Sequence, residues 1–152
     1  MSIISHLKYL RYVLRHKSSR NKKMDRNGVR SGAGKMKTVI FDFDGVIHSY
    51  ESGWQGATNI PDPPVDGIRE EIQRIRDASY KIVVVSARCY QDGGIEAIKK
   101  YLDKHNIVVD DVTHEKPPAI VQIDDRAICF DGKAGGLLER IDSFVPWNNK
   151  KV

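Results

Sequence analysis

Apolar positions follow two rhythms along this chain. Short apolar runs, Val39 to Phe41, Ile82 to Val85 and, broken by Gln122, Ile120 to Ile123, read as strands buried on both faces. Between them, isoleucine recurs at helical spacing: Ile68, Ile72 and Ile75 within Val65 to Ala78, after Pro63-Pro64, and Ile95, Ile98 and Leu102 from Gly94 to near Asn106. Weaker signals predict a short strand at Ile107 to Val109, an edge strand at Ala127 to Phe130 and a terminal helix from Leu137 to Phe144. Strands alternating with helices predict an α/β fold: a three-layer, doubly wound, mostly parallel sheet with right-handed crossovers and helices on both faces.

The polar residues at the ends of the runs change the picture from fold to chemistry. The first run stops at Asp42-Phe43-Asp44-Gly45, the second at Ser86-Ala87-Arg88 and the third at Asp124-Asp125-Arg126. Carboxylates at a strand end point to an edge that faces ligand, because burying charge is costly. Side chains alternate along a strand, so Asp42 and Asp44 start out facing the same way, and Gly45 lets the chain turn sharply beside them. Neighbouring carboxylates repel unless a cation or a shared proton separates them, and a hard divalent ion such as magnesium suits oxygen donors. A strand running into a solvated Asp-Gly turn would give the same letters. What separates the two is the repetition: three polar clusters, each at the carboxyl end of a run, where open α/β sheets bind ligands.

These segments resemble the haloacid dehalogenase (HAD-like) phosphohydrolase superfamily, over roughly Lys37 to Gly132. Its Asp-x-Asp, Ser/Thr, Lys and acidic motifs read here as Asp42-Phe43-Asp44, Ser86, Lys116 and Asp124-Asp125, in the family's order. The resemblance implies a Rossmann-like phosphatase that hydrolyses phosphoric monoesters through an aspartyl-phosphate. Asp42 would be the nucleophile and Asp44 the acid and base. Ser86 and Lys116 would hold the phosphoryl oxygens and balance charge. Mg2+ would lie between Asp42, the main-chain carbonyl of Asp44 and Asp124 or Asp125. Gly45, His48, Ala87, Arg88 and Arg126 would line the substrate side, and Ser86-Ala87-Arg88 and Asp124-Asp125-Arg126 look similar to stretches of polynucleotide-kinase-type 3′-phosphatases. Only 29 residues separate Ser86 from Lys116, and Val46 to Pro61 is a flap-length loop, so the resemblance points to a member with no large cap domain. An open mouth suits a large substrate or a subunit partner that completes the pocket, which leaves an oligomer open.

Charge divides the chain. Residues 1–36 hold 10 of the 25 Lys and Arg and one acid, Asp25, for a charge of +9, against −4 for the rest. Ile3, Leu7, Leu10 and Leu14 form a helical stripe there, and Lys17 to Lys35 reads as a flexible linker. The expected layout is a basic helix plus linker (1–36), a phosphohydrolase domain (37–145) and a C-terminal tail (146–152). The basic segment is a candidate tether for nucleic acid, an anionic surface or a partner, and equally a solvated extension. Gly28 to Lys35 is no phosphate-binding loop: the glycine spacing is one residue too long, Met36 replaces the Ser or Thr, and no strand precedes it.

Cys89 and Cys129 form no metal pattern or disulfide framework, which fits a reducing, cytoplasmic setting. The Arg-rich, acid-poor start also resembles an organellar transit peptide. No apolar stretch approaches the roughly 20 residues of a transmembrane segment. The leading expectation is a magnesium-dependent phosphatase acting on a phosphorylated small molecule or nucleotide. The alternatives are a nucleic-acid 3′-end phosphatase tethered by the basic tail and a non-enzymatic HAD-like binding module.

Overall fold

The computed structural model describes residues 36–149; the predicted N-terminal stripe and basic linker lie outside them. Four strands, β1 (Thr38–Phe41), β2 (Lys81–Val85), β3 (Asp111–Thr113) and β4 (Val121–Ile123), form one sheet in the order β3-β2-β1-β4. All three pairings are parallel, with Phe41 opposite both Val84 and Ile123, and Val84 opposite Val112. Helices α1 (Ile68–Asp77) and α2 (Gly94–Lys104) connect β1 to β2 and β2 to β3, and a short α3 (Leu137–Asp142) follows β4.

Side-chain alternation sorts the sheet residues. Val39, Phe41, Ile82, Val84 and Val112 share one core with Ile72 of α1 and with Ile98, Tyr101 and Leu102 of α2. Their sheet neighbours Ile40 and Val83 are buried too, but outside that cluster, on the opposite pleat. Both long helices therefore pack on one face. The fold is α/β with a four-stranded all-parallel sheet.

Three expectations about elements need correction. Ile107 to Val109 is a connection, although Ile107 is buried in the core. The Asp110 carboxylate takes the Ile82 N–H at 2.7 Å while its own N–H reaches the Ile82 carbonyl at 2.9 Å, and the strand begins one residue later. Ala127 to Phe130 forms no strand, its Cys129 carbonyl accepting from Arg140 instead. Finally, β4 is not the buried strand its apolar run predicts. It sits at the sheet edge with Val121 and Ile123 49% and 39% exposed, because the layer of α1 and α2 ends before reaching it.

Candidate active site

The strand order places a switch point between β1 and β4. The chain steps outward from β1 to β2 to β3, then returns to the other side of β1. Such a reversal opens a crevice beyond the carboxyl ends of the two strands. Asp42 stands there at the exit of β1, its N–H bonded to the Ile123 carbonyl at 2.9 Å, so Asp124 and Asp125 follow directly beside it. Asp42, Asp124 and Asp125 each bring a carboxylate oxygen within 4.8 Å of the others.

The electrostatics of this trio are unfavourable for a protein alone. Burial raises the Asp42 carboxyl from 3.8 to about 7, the Phe43 N–H opposing this and the charges of Asp124, Asp125 and Asp44 adding to it. Burial also raises Asp125, whose side chain is 1% exposed. Neither Asp125 oxygen has a hydrogen-bond partner among the described residues, and the Arg126 Nε stays at 3.8 Å. Asp124 is better satisfied, accepting from the Arg126 N–H at 2.8 Å and from Gln122 at 2.7 Å. Three converging carboxylates, one of them buried without a hydrogen bond to any described residue, are a donor set that a hard divalent cation fits. Gly45 makes room for the Asp125 carboxylate. Its φ is +82°, and a β-carbon there would run into the Asp125 carboxylate.

Asp44 is held apart from this trio. Its Oδ2 accepts from Arg88 Nε at 2.7 Å and its Oδ1 pairs with His48 Nδ1 at 2.8 Å. Burial alone would raise its pKa, but these two hydrogen bonds and charges outweigh it and hold the carboxyl below the usual range. Arg88, fully buried, also donates through Nη1 to the carbonyls of Gly56, Ala57 and Asn59, at 2.6, 3.2 and 3.2 Å. Trp54 lies over the guanidinium at 4.6 Å. His48 is buried between Asp44 and Asp62, its Nε2 3.3 Å from the Asp62 N–H. Phe43 and Tyr101 pack around it, and the Tyr101 hydroxyl holds the Asp62 carbonyl at 3.1 Å. Both Asp-x-Asp carboxylates thus leave β1 together, and their partners then give them different environments.

Ser86 directly follows β2, buried, with its hydroxyl accepting the Arg88 N–H at 3.3 Å, while Ala87 is exposed at the start of the following turn. Lys116 is exposed on the β3–β4 loop, its ammonium without a hydrogen-bond or ion-pair partner among the described residues. Arg126 faces outward beside Asp125, 6.0 Å from the Tyr50 ring. Cys89 is buried, and burial raises its thiol, which fits a packing residue.

Two contributions were not legible beforehand. Asp62 and Tyr101 join the site only through the folded flap. From the other end of the chain, Trp147 donates its indole N–H to the Gly45 carbonyl at 2.7 Å, and Asn148 sits beside it. The single sequence signal was a lone tryptophan with no periodic partner.

No protein-family model and no curated protein matches the chain. Among solved structures, a structural-genomics target from Vibrio cholerae is 27% identical, with a TM-score of 0.43 over 61% of this chain and 83% of that one. A chain of the Pnkp1/Rnl/Hen1 complex is 16% identical, with a TM-score of 0.47 over 76% of this chain and 37% of the other. No helix among the described residues is long and apolar enough to cross a membrane.

Proposed function

We propose that the chain is a magnesium-dependent phosphomonoester hydrolase of the HAD-like type, built on residues 37–145 as a Rossmann-like domain without a large cap. The observation that carries this reading is the division of labour between Asp42 and Asp44. One meets Asp124 and Asp125 at the switch point, and the other is turned onto Arg88 and His48.

Asp42, Asp124 and Asp125, with the Asp44 carbonyl, would hold Mg2+, which supplies charge neutralisation for an incoming phosphate and an electrophilic anchor for one of its oxygens. An Asp42 oxygen attacks phosphorus as the bond to the leaving oxygen breaks, giving an aspartyl-phosphate. Water then attacks the same phosphorus, releasing Asp42 and inorganic phosphate. Asp44, kept ionised by its partners, is suited to take the proton of that water. In the first half of the cycle Asp44 would carry a proton and give it to the leaving oxygen, becoming the ionised form that its partners favour and that then takes the proton of the water. Ser86 and Lys116 would bind phosphoryl oxygens, and Gly45, Ala87 and Arg126 would line the approach. Arg88 and His48 serve through Asp44 and the flap, to which Arg88 Nε and Nη1 and both His48 ring nitrogens are turned, while Arg88 Nη2 is buried without a hydrogen-bond partner among the described residues.

The test is hydrolysis of p-nitrophenyl phosphate by the full chain. Turnover is expected with magnesium and lost with EDTA or in Asp42→Asn; activity that survives both rules out the reading. The charge contrast of +9 in residues 1–36 against −4 in the remainder favours a nucleic-acid 3′-end phosphate as a second candidate substrate, delivered by the basic segment.

A further inference from the structure

We propose that the C-terminal turn Trp147–Asn149 completes the acidic centre, with Asn148 as a positioning residue for Asp125; this rests on the magnesium-dependent reading above. Two separate observations lead there. The first is a tether. The Trp147 indole bonds to the carbonyl of Gly45, the residue whose missing side chain gives Asp125 its place. Trp147 is itself half exposed, so core burial does not explain its location.

The second observation is a concentration of unmet polar atoms. Both polar atoms of the Asn148 amide are buried without a hydrogen-bond partner among the described residues, and so are both oxygens of Asp125. The two groups flank the same point: the position a β-carbon would take on Gly45 lies against the Asp125 carboxylate and 3.2 Å from Asn148 Nδ2. Buried polar atoms in folded proteins nearly always find partners, so four orphans in one spot mark a place shaped for a polar occupant.

The chemistry of the pair says what each would do. Asp125 is a candidate ligand, and a carboxylate that gives one oxygen to a cation retains acceptor capacity on the other. The Asn148 amide, which flanks the same point, can donate an N–H to it, and being neutral it adds no charge to an already acidic cluster. Hydrogen bonds of this kind fix the direction in which a ligating carboxylate faces. The turn would thus act from 102 residues away in sequence, through the Trp147 tether, on a centre made by β1 and β4.

The experiment titrates full-length wild type, Asn148→Ala, Asn148→Asp and Trp147→Phe with MgCl2 alone by calorimetry, and melts each in EDTA. Asn148→Ala is expected to bind magnesium about tenfold more weakly while its melting temperature in EDTA does not fall. Asn148→Asp, which brings a like charge and no donor, should bind more weakly still in this role. Trp147→Phe should reproduce part of the loss by freeing the turn. An Asn148→Ala affinity within about twofold of wild type overturns the proposal. So does tighter binding by Asn148→Asp, which would make position 148 a direct ligand. A wild-type chain that binds no magnesium overturns the metal reading itself, and the role of Asn148 with it.

Discussion

Replacing Asp42 by Asn should stabilise the metal-free protein while abolishing its turnover. In the native state the carboxyl rises from 3.8 to about 7, chiefly through burial. The folded chain therefore holds a proton that the unfolded chain has released, and stability must fall as pH climbs through that interval. Below about pH 4 both states are protonated and the group is neutral in its effect; above about pH 7 the full penalty applies, about 4 kcal/mol as an upper bound. Asn avoids the charge but still loses hydration, and relaxation screens part of the penalty. About half should survive as a gain, about 2 kcal/mol, or about 6 °C in Tm for a chain of this length.

The assay is thermal unfolding of wild type and Asp42→Asn in EDTA at pH 5 and pH 8. The variant should melt higher at pH 8, with the gap shrinking toward pH 5. Saturating magnesium should reverse the order, because wild type binds the cation through all three carboxylates. A variant that melts lower in EDTA at pH 8, or a gap independent of pH, refutes the electrostatic account. Activity within about tenfold of wild type, a barrier change of about 1.4 kcal/mol, refutes the nucleophile assignment.

Arg88→Ala leaves Asp44 without its cation and three flap carbonyls without a donor, and should cost about 3–5 kcal/mol in urea denaturation; a loss below about 1 kcal/mol would show the network contributes little. Gly45→Ala combines a positive φ with a β-carbon directed at Asp125, so it should lose about 1–3 kcal/mol and weaken magnesium binding in calorimetry; a wild-type affinity would mean the carboxylate can move aside freely. Millimolar magnesium should raise the wild-type Tm over its value in EDTA, by about 2.7 kcal/mol of stabilisation at a hundredfold excess over Kd, with the increment reduced in Asp125→Asn; equal melting in both media argues against a metal centre. A chain starting at Met36 should fold and hydrolyse a small phosphate ester yet bind DNA more weakly than the full chain, whose binding should fall steeply with salt; equal DNA affinity removes the tether role of residues 1–36.

Much of this arrangement was legible in the sequence where local pattern decides. β1, β2, α1 and α2 fall within a few residues of the predicted spans, since an unbroken apolar run and an isoleucine every three or four positions each admit one buried geometry. β3 was misplaced because the Asp110 side chain takes a ladder position on β2, a contact made 28 residues away. β4 was misjudged because an apolar run states a preference for burial but not whether a helix lies over it. In the site, Asp42, Asp124 and Asp125 were legible as a convergent set, since strand ends sharing one edge must meet. The partners of Asp44 were not, because Arg88 lies 44 residues away and no spacing rule links the two. Asn148 and Trp147 gave no pattern at all.

Arg88 has a consequence for motion and for sequence change. One guanidinium holds both the Asp44 carboxylate and the flap carbonyls of Gly56, Ala57 and Asn59, so flap position and the charge on Asp44 are not independent variables. Anything that neutralises Asp44 weakens the latch, and anything that lifts the flap loosens the cation that keeps Asp44 ionised; such coupling is reciprocal by thermodynamic necessity. The flap then reports the protonation state beneath it without contacting any ligand. Position 88 is constrained in the same way, since a replacement must satisfy an acid and a loop at once, and drift in the loop's backbone alone is enough to alter the acid.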